Sequence, residues 1–253
     1  MSVTSSPPSL RLPPDIARLV DDLAAMRGVT AVVLGGSRAQ GTADAKSDWD
    51  IGVYYRGPID LEPLRAWGEV HPPGAWGRIM NGGAWLAVGG EKVDVVLRDA
   101  DVVAHWTERA ERGEFEVDGL LAYLAGVPTY SLAAERHAAV VLRGEAPRRI
   151  DFPPLLADAG ALRWRFARRF TLDQARSRAA RGDVVGTVGQ AARAVVEEAH
   201  ARLCENRCWS LNEKRLVQVA GLGAVQPLFV GVPDGGPPLI AWVERIEAVL
   251  VAA

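Results

Sequence analysis

The apolar positions of this chain change period as it proceeds. Ile16, Leu19, Val20 and Leu23 recur at i, i+3, i+4 and i+7, which predicts a helix from Asp15 to Arg27, stopped by Gly28. Thr30 to Leu34 is a short β-branched run suited to a buried strand. Gly35-Gly36-Ser37 breaks it, and Arg38 to Thr42 begins a helical turn. From Trp49 to Tyr55 the pattern alternates, with Asp50, Gly52 and Tyr54 set against Ile51, Val53 and Tyr55, the signature of a second strand. Ile59 to Trp67 predicts a helix and Pro72-Pro73-Gly74 a loop. Ala84 to Val88 and Lys92 to Leu97 flank Gly89-Gly90, the composition of a hairpin. Helices are predicted over Asp101 to Arg112, Val117 to Leu124 and Leu132 to Leu142. Beyond Arg148 to Pro154, a linker with two prolines, the pattern is helical throughout: Leu155 to Arg181, Val184 to Leu203 and Pro237 to Val251.

This order predicts an α/β (α+β) protein. A small mixed sheet flanked by helices occupies residues 15–150, and a C-terminal helical domain occupies 151–253. Residues 1–14, rich in Ser and Pro, read as a flexible arm without the apolar stretch of a signal peptide. Composition is that of an ordinary globular protein, 49% hydrophobic and 24% charged. No apolar run approaches the roughly 20 residues of a membrane span. A net charge of −2 argues against broad nucleic-acid affinity. The first 150 residues lean acidic and the remainder slightly basic, too mildly to name a partner. Two cysteines make no disulfide framework, so the cytoplasm is the expected compartment.

Chemistry concentrates at Asp48-Trp49-Asp50. Carboxylates at i and i+2 of a strand point to one face and repel unless a cation lies between them. Magnesium suits such a site, since it takes a few hard oxygen ligands plus substrate phosphates. The small-residue turn at Gly35-Gly36-Ser37 could cradle those phosphates with backbone N–H groups and a hydroxyl. Asp94, in the middle of the apolar run Val93 to Leu97, is costly to bury without a partner and is the expected third carboxylate.

Gly36-Ser37-Arg38-Ala39-Gln40-Gly41 followed by Ser47-Asp48-Trp49-Asp50 resembles the G-S-x-A-x-G…S-D-x-D signature of DNA polymerase beta-like nucleotidyltransferases, with Asp94 at the third acidic position. The two-part organisation is similar to antibiotic adenylyltransferases of the aminoglycoside type. The resemblance implies a Mg²⁺-dependent enzyme using two ions and ATP or another nucleoside triphosphate. It would move a nucleoside monophosphate to a hydroxyl of a small molecule, an antibiotic being one class, at a site between the two domains. Asp48, Asp50 and Asp94 are then the catalytic and metal-binding residues, with Asp94 the base. Gly36, Ser37, Arg38 and Ser47 would serve the nucleotide, and Lys214, within Trp209-Ser210-Leu211-Asn212-Glu213-Lys214, would contact its triphosphate. Two alternatives stay open: a non-catalytic nucleotide-binding or regulatory protein of the same fold, and a toxin-like transferase acting on protein or tRNA.

Other patterns weigh less. The turn is one residue short of a nucleophile elbow, and Thr42 stands where a P-loop needs lysine. The Asp48-x-Asp50-x-Gly52 run lacks the remaining ligands of an EF-hand. His200, Cys204 and Cys208 share one helical face but have no fourth zinc ligand nearby, so buried small side chains are the expectation. The arginines from Arg163 to Arg181 spread around their helix, which favours pairing with acids over RNA binding. Glu197-Glu198 could face a cationic acceptor or simply be hydrated.

Overall fold

A computed structural model describes residues 11–44 and 47–252. The chain forms two compact units, one made of residues up to Val103 with Ala138–Arg148, the other of Ala104–His137 with Arg149–Ala253. The break after Arg148 falls in the proline-bearing linker, while 104–137 groups with the helical unit rather than with the sheet. Most of the expected arm, residues 1–10, lies outside the described residues.

The first unit begins with helix α1 (Pro14–Ala25), whose Ile16, Leu19, Val20 and Leu23 are buried as their spacing predicts. Strand β1 (Val29–Leu34) leads through the short helix α2 (Gly36–Ala39) to β2 (Trp49–Tyr55). Pro63, inside the helix expected at Ile59–Trp67, interrupts it. A 3-10 turn over Glu62–Ala66 stands there instead and feeds β3 (Gly68–His71). The hairpin follows as β4 (Gly82–Val88) and β5 (Glu91–Asp99), then helix α3 (Ala100–Glu111), which from Ala104 onward belongs to the second unit. Further along the chain, β8 (Val140–Gly144) returns to the sheet, giving the mixed order β3-β4-β5-β2-β1-β8. β2 and β5 run parallel and the other neighbours antiparallel. One face, with Val32, Leu34, Ile51, Val53, Val93 and Val95, packs in a core shared with α1.

The second unit corrects two expectations. Val117–Leu124 is not helical, because Gly119 and a left-handed Ala122 (φ 67°) interrupt it; only β6 (Val117–Asp118) forms, paired with β7 (Val127–Pro128). The stretch Leu132–Leu142 divides into helix α4 (Ser131–Ala138) and strand β8, since Val140-Val141 are β-branched and the free edge of β1 takes them up. Helices α5 (Pro154–Ala179), α6 (Val184–Glu205), α7 (Leu216–Val219) and α8 (Gly236–Val251) build the remainder. Their core is centred on Leu156, Leu172, Ala199, Leu239 and Trp242. No helix is long and apolar enough among the described residues to cross a membrane.

Candidate active site

Strand register assembles the site. Asp50 of β2 and Asp94 of β5 are direct partners in the parallel ladder. Partners share a face, so the two carboxylates rise side by side from strands about 5 Å apart. Their neighbours Ile51 and Val95 point into the core below. Asp48 precedes β2 by one residue, and its carbonyl accepts from Arg38 Nε. Gly35 donates its N–H to the Asp50 carbonyl at 2.8 Å, which docks the turn against β2. Gly36 then turns with φ 58°, and its backbone lies directly on the Asp50 carboxylate: a Cβ built there would overlap Oδ2. Glycine is required at that position on two counts, left-handed backbone and close approach.

Arg38 has a job within this frame. Its Nη2 donates to the Ser47 carbonyl at 2.6 Å and its Nε to the Asp48 carbonyl at 3.2 Å. Its guanidinium lies 4.1 Å over the Trp49 ring. Arg38 therefore pins the start of β2, with Asp48, to α2. Ser47 accepts from the Asp44 N–H at 2.9 Å and donates its hydroxyl to Asp44 Oδ1 at 3.0 Å, fixing the approach to the strand. The Ser37 carbonyl accepts from the Thr42 N–H at 2.9 Å, closing α2. Gly36, Ser37, Arg38, Ser47, Asp48, Asp50 and Asp94 all belong to the first unit.

Carboxylates from adjacent strands are the hard oxygen donors that a divalent ion such as Mg²⁺ takes, and the Gly36 backbone leaves no room for a side chain beside Asp50. Among the described residues, no group of three or more His, Cys, Asp or Glu stands close enough together to hold an ion. The pair Asp50–Asp94 is thus the part of the expected donor set that the fold brings together, and Asp48 does not join it as a third member of one cluster.

Lys214 belongs to the second unit and is exposed, its backbone N–H donating to Asn212 Oδ1 at 2.8 Å. The preceding Glu213 grips the backbone N–H groups of Leu124 and Ala125 at 2.7 and 2.9 Å. Trp209 packs on Phe152, ring centroids 4.4 Å apart. The Trp209–Lys214 segment is therefore held by its Trp and Glu.

Glu197 and Glu198 are not hydrated, as had been one expectation, but 0% and 2% exposed. Glu198 accepts from Arg168 at 2.6 Å and Arg202 at 3.2 Å, with Arg165 at 3.9 Å; Arg193 reaches Glu197 at 2.8 Å. The arginines of α5 pair largely with acids, as their scatter around the helix implied. Of the histidine–cysteine stripe, His200 and Cys204 are buried and Cys208 is exposed. Tyr130 Oη accepts from Trp164 Nε1 at 3.0 Å and lies 3.5 Å from His200 Nδ1 and 3.7 Å from Cys204 Sγ. Burial pushes His200 down to about 4 and the Cys204 thiol up to about 11, so both stay neutral near pH 7.

The model of a family described as Nucleotidyltransferase domain matches residues 16–113, the stretch from α1 through the acidic pair to the end of α3. That match supports nucleotidyl transfer as the general chemistry of this part of the chain. Among solved structures, a nucleotidyltransferase-like protein from Exiguobacterium sibiricum aligns with 10% identity and a TM-score of 0.43, over 94% of this chain and 74% of its own. No curated protein sequence matches the chain.

Proposed function

We propose that the protein is a Mg²⁺-dependent nucleotidyltransferase that moves AMP from ATP to a hydroxyl of a small molecule, with an antibiotic as one candidate acceptor class. The observation that carries this reading is the register pair Asp50–Asp94 beside the Gly36 backbone. Asp48, Asp50 and Asp94 would hold two ions, which when bound neutralise the triphosphate and make the acceptor hydroxyl more acidic. Asp94 accepts the hydroxyl proton as the acceptor oxygen bonds to the α-phosphorus. The bond from that phosphorus to the bridging oxygen breaks, and pyrophosphate leaves. The Gly35–Ser37 turn lies against Asp50 on the side toward β1, where backbone N–H groups suit the phosphates. Arg38 contributes by fixing Asp48 and the start of β2. Lys214 is proposed to reach the triphosphate.

The test is Asp50→Ala, assayed as Mg²⁺-dependent pyrophosphate release from ATP over a set of small hydroxyl acceptors. Turnover should collapse while the circular dichroism spectrum is kept. Activity persisting within about tenfold of wild type would defeat the metal assignment, since a bridging ligand is worth far more. Label entering protein or tRNA instead of small molecules would move the acceptor to that class.

A further inference from the structure

The row of residues that contains the acidic pair does not end at Asp94. In the antiparallel ladder Trp85 of β4 is the direct partner of Asp94, and Glu69 of β3 is the partner of Trp85. Read across the sheet, one face carries Asp50, Asp94, Trp85 and Glu69 in sequence, each about one strand spacing of 5 Å from the next. Trp85 is 50% exposed, in a strand whose alternate residues Ala84, Leu86 and Val88 are buried. Its ring is supported rather than loose. Trp76 stacks on it, centroids 5.5 Å apart at 25°, and His71 meets it edge-on at 4.5 Å.

Trp76 is brought there by a structured loop. Asn81 accepts the Gly74 N–H on its side chain at 2.9 Å and the Trp76 N–H on its carbonyl at 2.9 Å, and its amide donates to the Tyr55 hydroxyl at 2.9 Å. The Trp76 ring then lies over Gly83, where a Cβ would come within 2.7 Å of it. A large indole surface held half in solvent, beside a carboxylate pair, has no role in the core of this unit.

We infer that Trp85, backed by Trp76 and His71, is the acceptor wall of the site, and that the acceptor presents a flat ring face, aromatic or the C–H face of a sugar, to that indole while offering its hydroxyl to Asp94. The inference rests on the transfer reading above and names the substrate class for it. Order along the row gives the direction. The glycine turn flanks Asp50 on the β1 side, so the triphosphate lies at that end. In-line displacement puts attacking and leaving oxygens on opposite sides of the phosphorus, which leaves the β4 side for the acceptor. Ring stacking places centroids about 4.5–7 Å apart. A ring stacked on Trp85 can therefore carry a hydroxyl to a carboxylate one strand away. Asp50, Asp94 and Glu69 share that face, an acidic setting that disfavours the phosphates of an RNA acceptor.

The full chain labelled with 5-fluorotryptophan tests this. Trp85 is assigned among the eight tryptophans by the signal lost in Trp85→Phe, then phenyl β-glucopyranoside and the open-chain polyol sorbitol are titrated in turn. The glucoside should shift the Trp85 signal saturably and sorbitol should not, and Trp85→Ala should weaken glucoside binding at least tenfold. An unmoved Trp85 signal, an equal response to sorbitol, or tighter binding of a short single-stranded RNA would each overturn the inference. Binding of Mg·ATP to the wild type and to Asp50→Asn is measured on the same samples. Equal Mg·ATP binding by both would sink the transfer reading, whatever the ring probes show.

Discussion

Gly36→Ala is the sharpest probe of how the glycine turn serves Asp50. Two effects separate cleanly, because Gly41 provides a matched control. Gly36 and Gly41 both have left-handed φ, 58° and 70°. Alanine at either therefore carries the same backbone cost of about 1–2 kcal/mol. Around Gly41 nothing lies within 4 Å, whereas a Cβ at Gly36 would overlap the Asp50 carboxylate. Only the first substitution forces the carboxylate or the turn to move, by about 1 Å. A misplacement of that size at a reacting centre costs about 100-fold in rate, about 2.7 kcal/mol in barrier. Thermal melts and Mg²⁺-dependent pyrophosphate release should be recorded for both variants. The melting temperature should fall in both by the shared backbone cost, and further in Gly36→Ala, where the overlap adds to it. Turnover should fall about 100-fold in Gly36→Ala and within about threefold in Gly41→Ala, set by overlap alone. Equal losses in the two would refute the contact argument, and so would a Gly36→Ala enzyme retaining a third of its activity.

Three further outcomes are expected. Glu198→Gln should destabilise the protein by about 3 kcal/mol in a denaturant titration, because it leaves Arg168 and Arg202 facing a neutral group in a buried site; a change below about 1 kcal/mol would contradict this. His200 sets an acid limit: its folded value of about 4 lies below the ordinary 6.5, so the unfolded chain takes up a proton that the native state refuses. Its contribution is full above pH 6.5 and declines toward pH 4 by up to about 3 kcal/mol. An unchanged stability difference between pH 7 and pH 4.5 in His200→Gln would reject that account. A thiol reagent on the native protein should label exposed Cys208 rapidly and leave Cys204 unreacted until unfolding, since Cys204 is buried and held near 11. Two thiols reacting at one rate would show the second unit to be open around Tyr130.

Much of the fold could be read from periodicity wherever one element carried one pattern through to a glycine or proline. Helix α1, strands β1 and β2, the β4–β5 hairpin and the long helices α5, α6 and α8 are of this kind. Failures came where a run of ordinary helix-forming residues hid a change of partner. Leu132–Leu142 looks like one amphipathic helix, yet its second half is the sixth strand of the sheet, because the edge of β1 accepts Val140 and Val141. A pairing with a strand more than 100 residues earlier leaves no trace in local spacing. The same holds for residues 104–137, which group with the helical unit although nothing in the composition changes at Val103. Glu197 and Glu198 read as facing either a cationic acceptor or water, because a pair of acids on a helix usually is exposed. Glu198 is buried against Arg165 and Arg168 of α5, which only the packing of α5 on α6 supplies, while Glu197 pairs with Arg193 of its own helix.

The site divides along the same line. Asp94 could be anticipated because a carboxylate inside Val93–Leu97 violates its own surroundings, and a local violation is visible in one dimension. Arg38 violated nothing; a basic residue after Gly-Ser reads as a phosphate ligand, and its hold on the Ser47 and Asp48 carbonyls depends on β2 returning beside the turn. Trp85 left no signal either, since an aromatic residue in an alternating strand is what a strand prefers. Its importance lies wholly in register: shift β4 by one residue against β5 and the indole turns into the core while Ala84 faces Asp94. A carboxylate pair marks where the chemistry is, and the hairpin register determines what kind of surface the second substrate meets beside it. Insertion of one residue in the Gly89-Gly90 turn should accordingly leave the Asp50–Asp94 pair in place and abolish the ring-selective response of Trp85. A variant of that kind that still discriminated phenyl glucoside from sorbitol would show the wall to lie elsewhere.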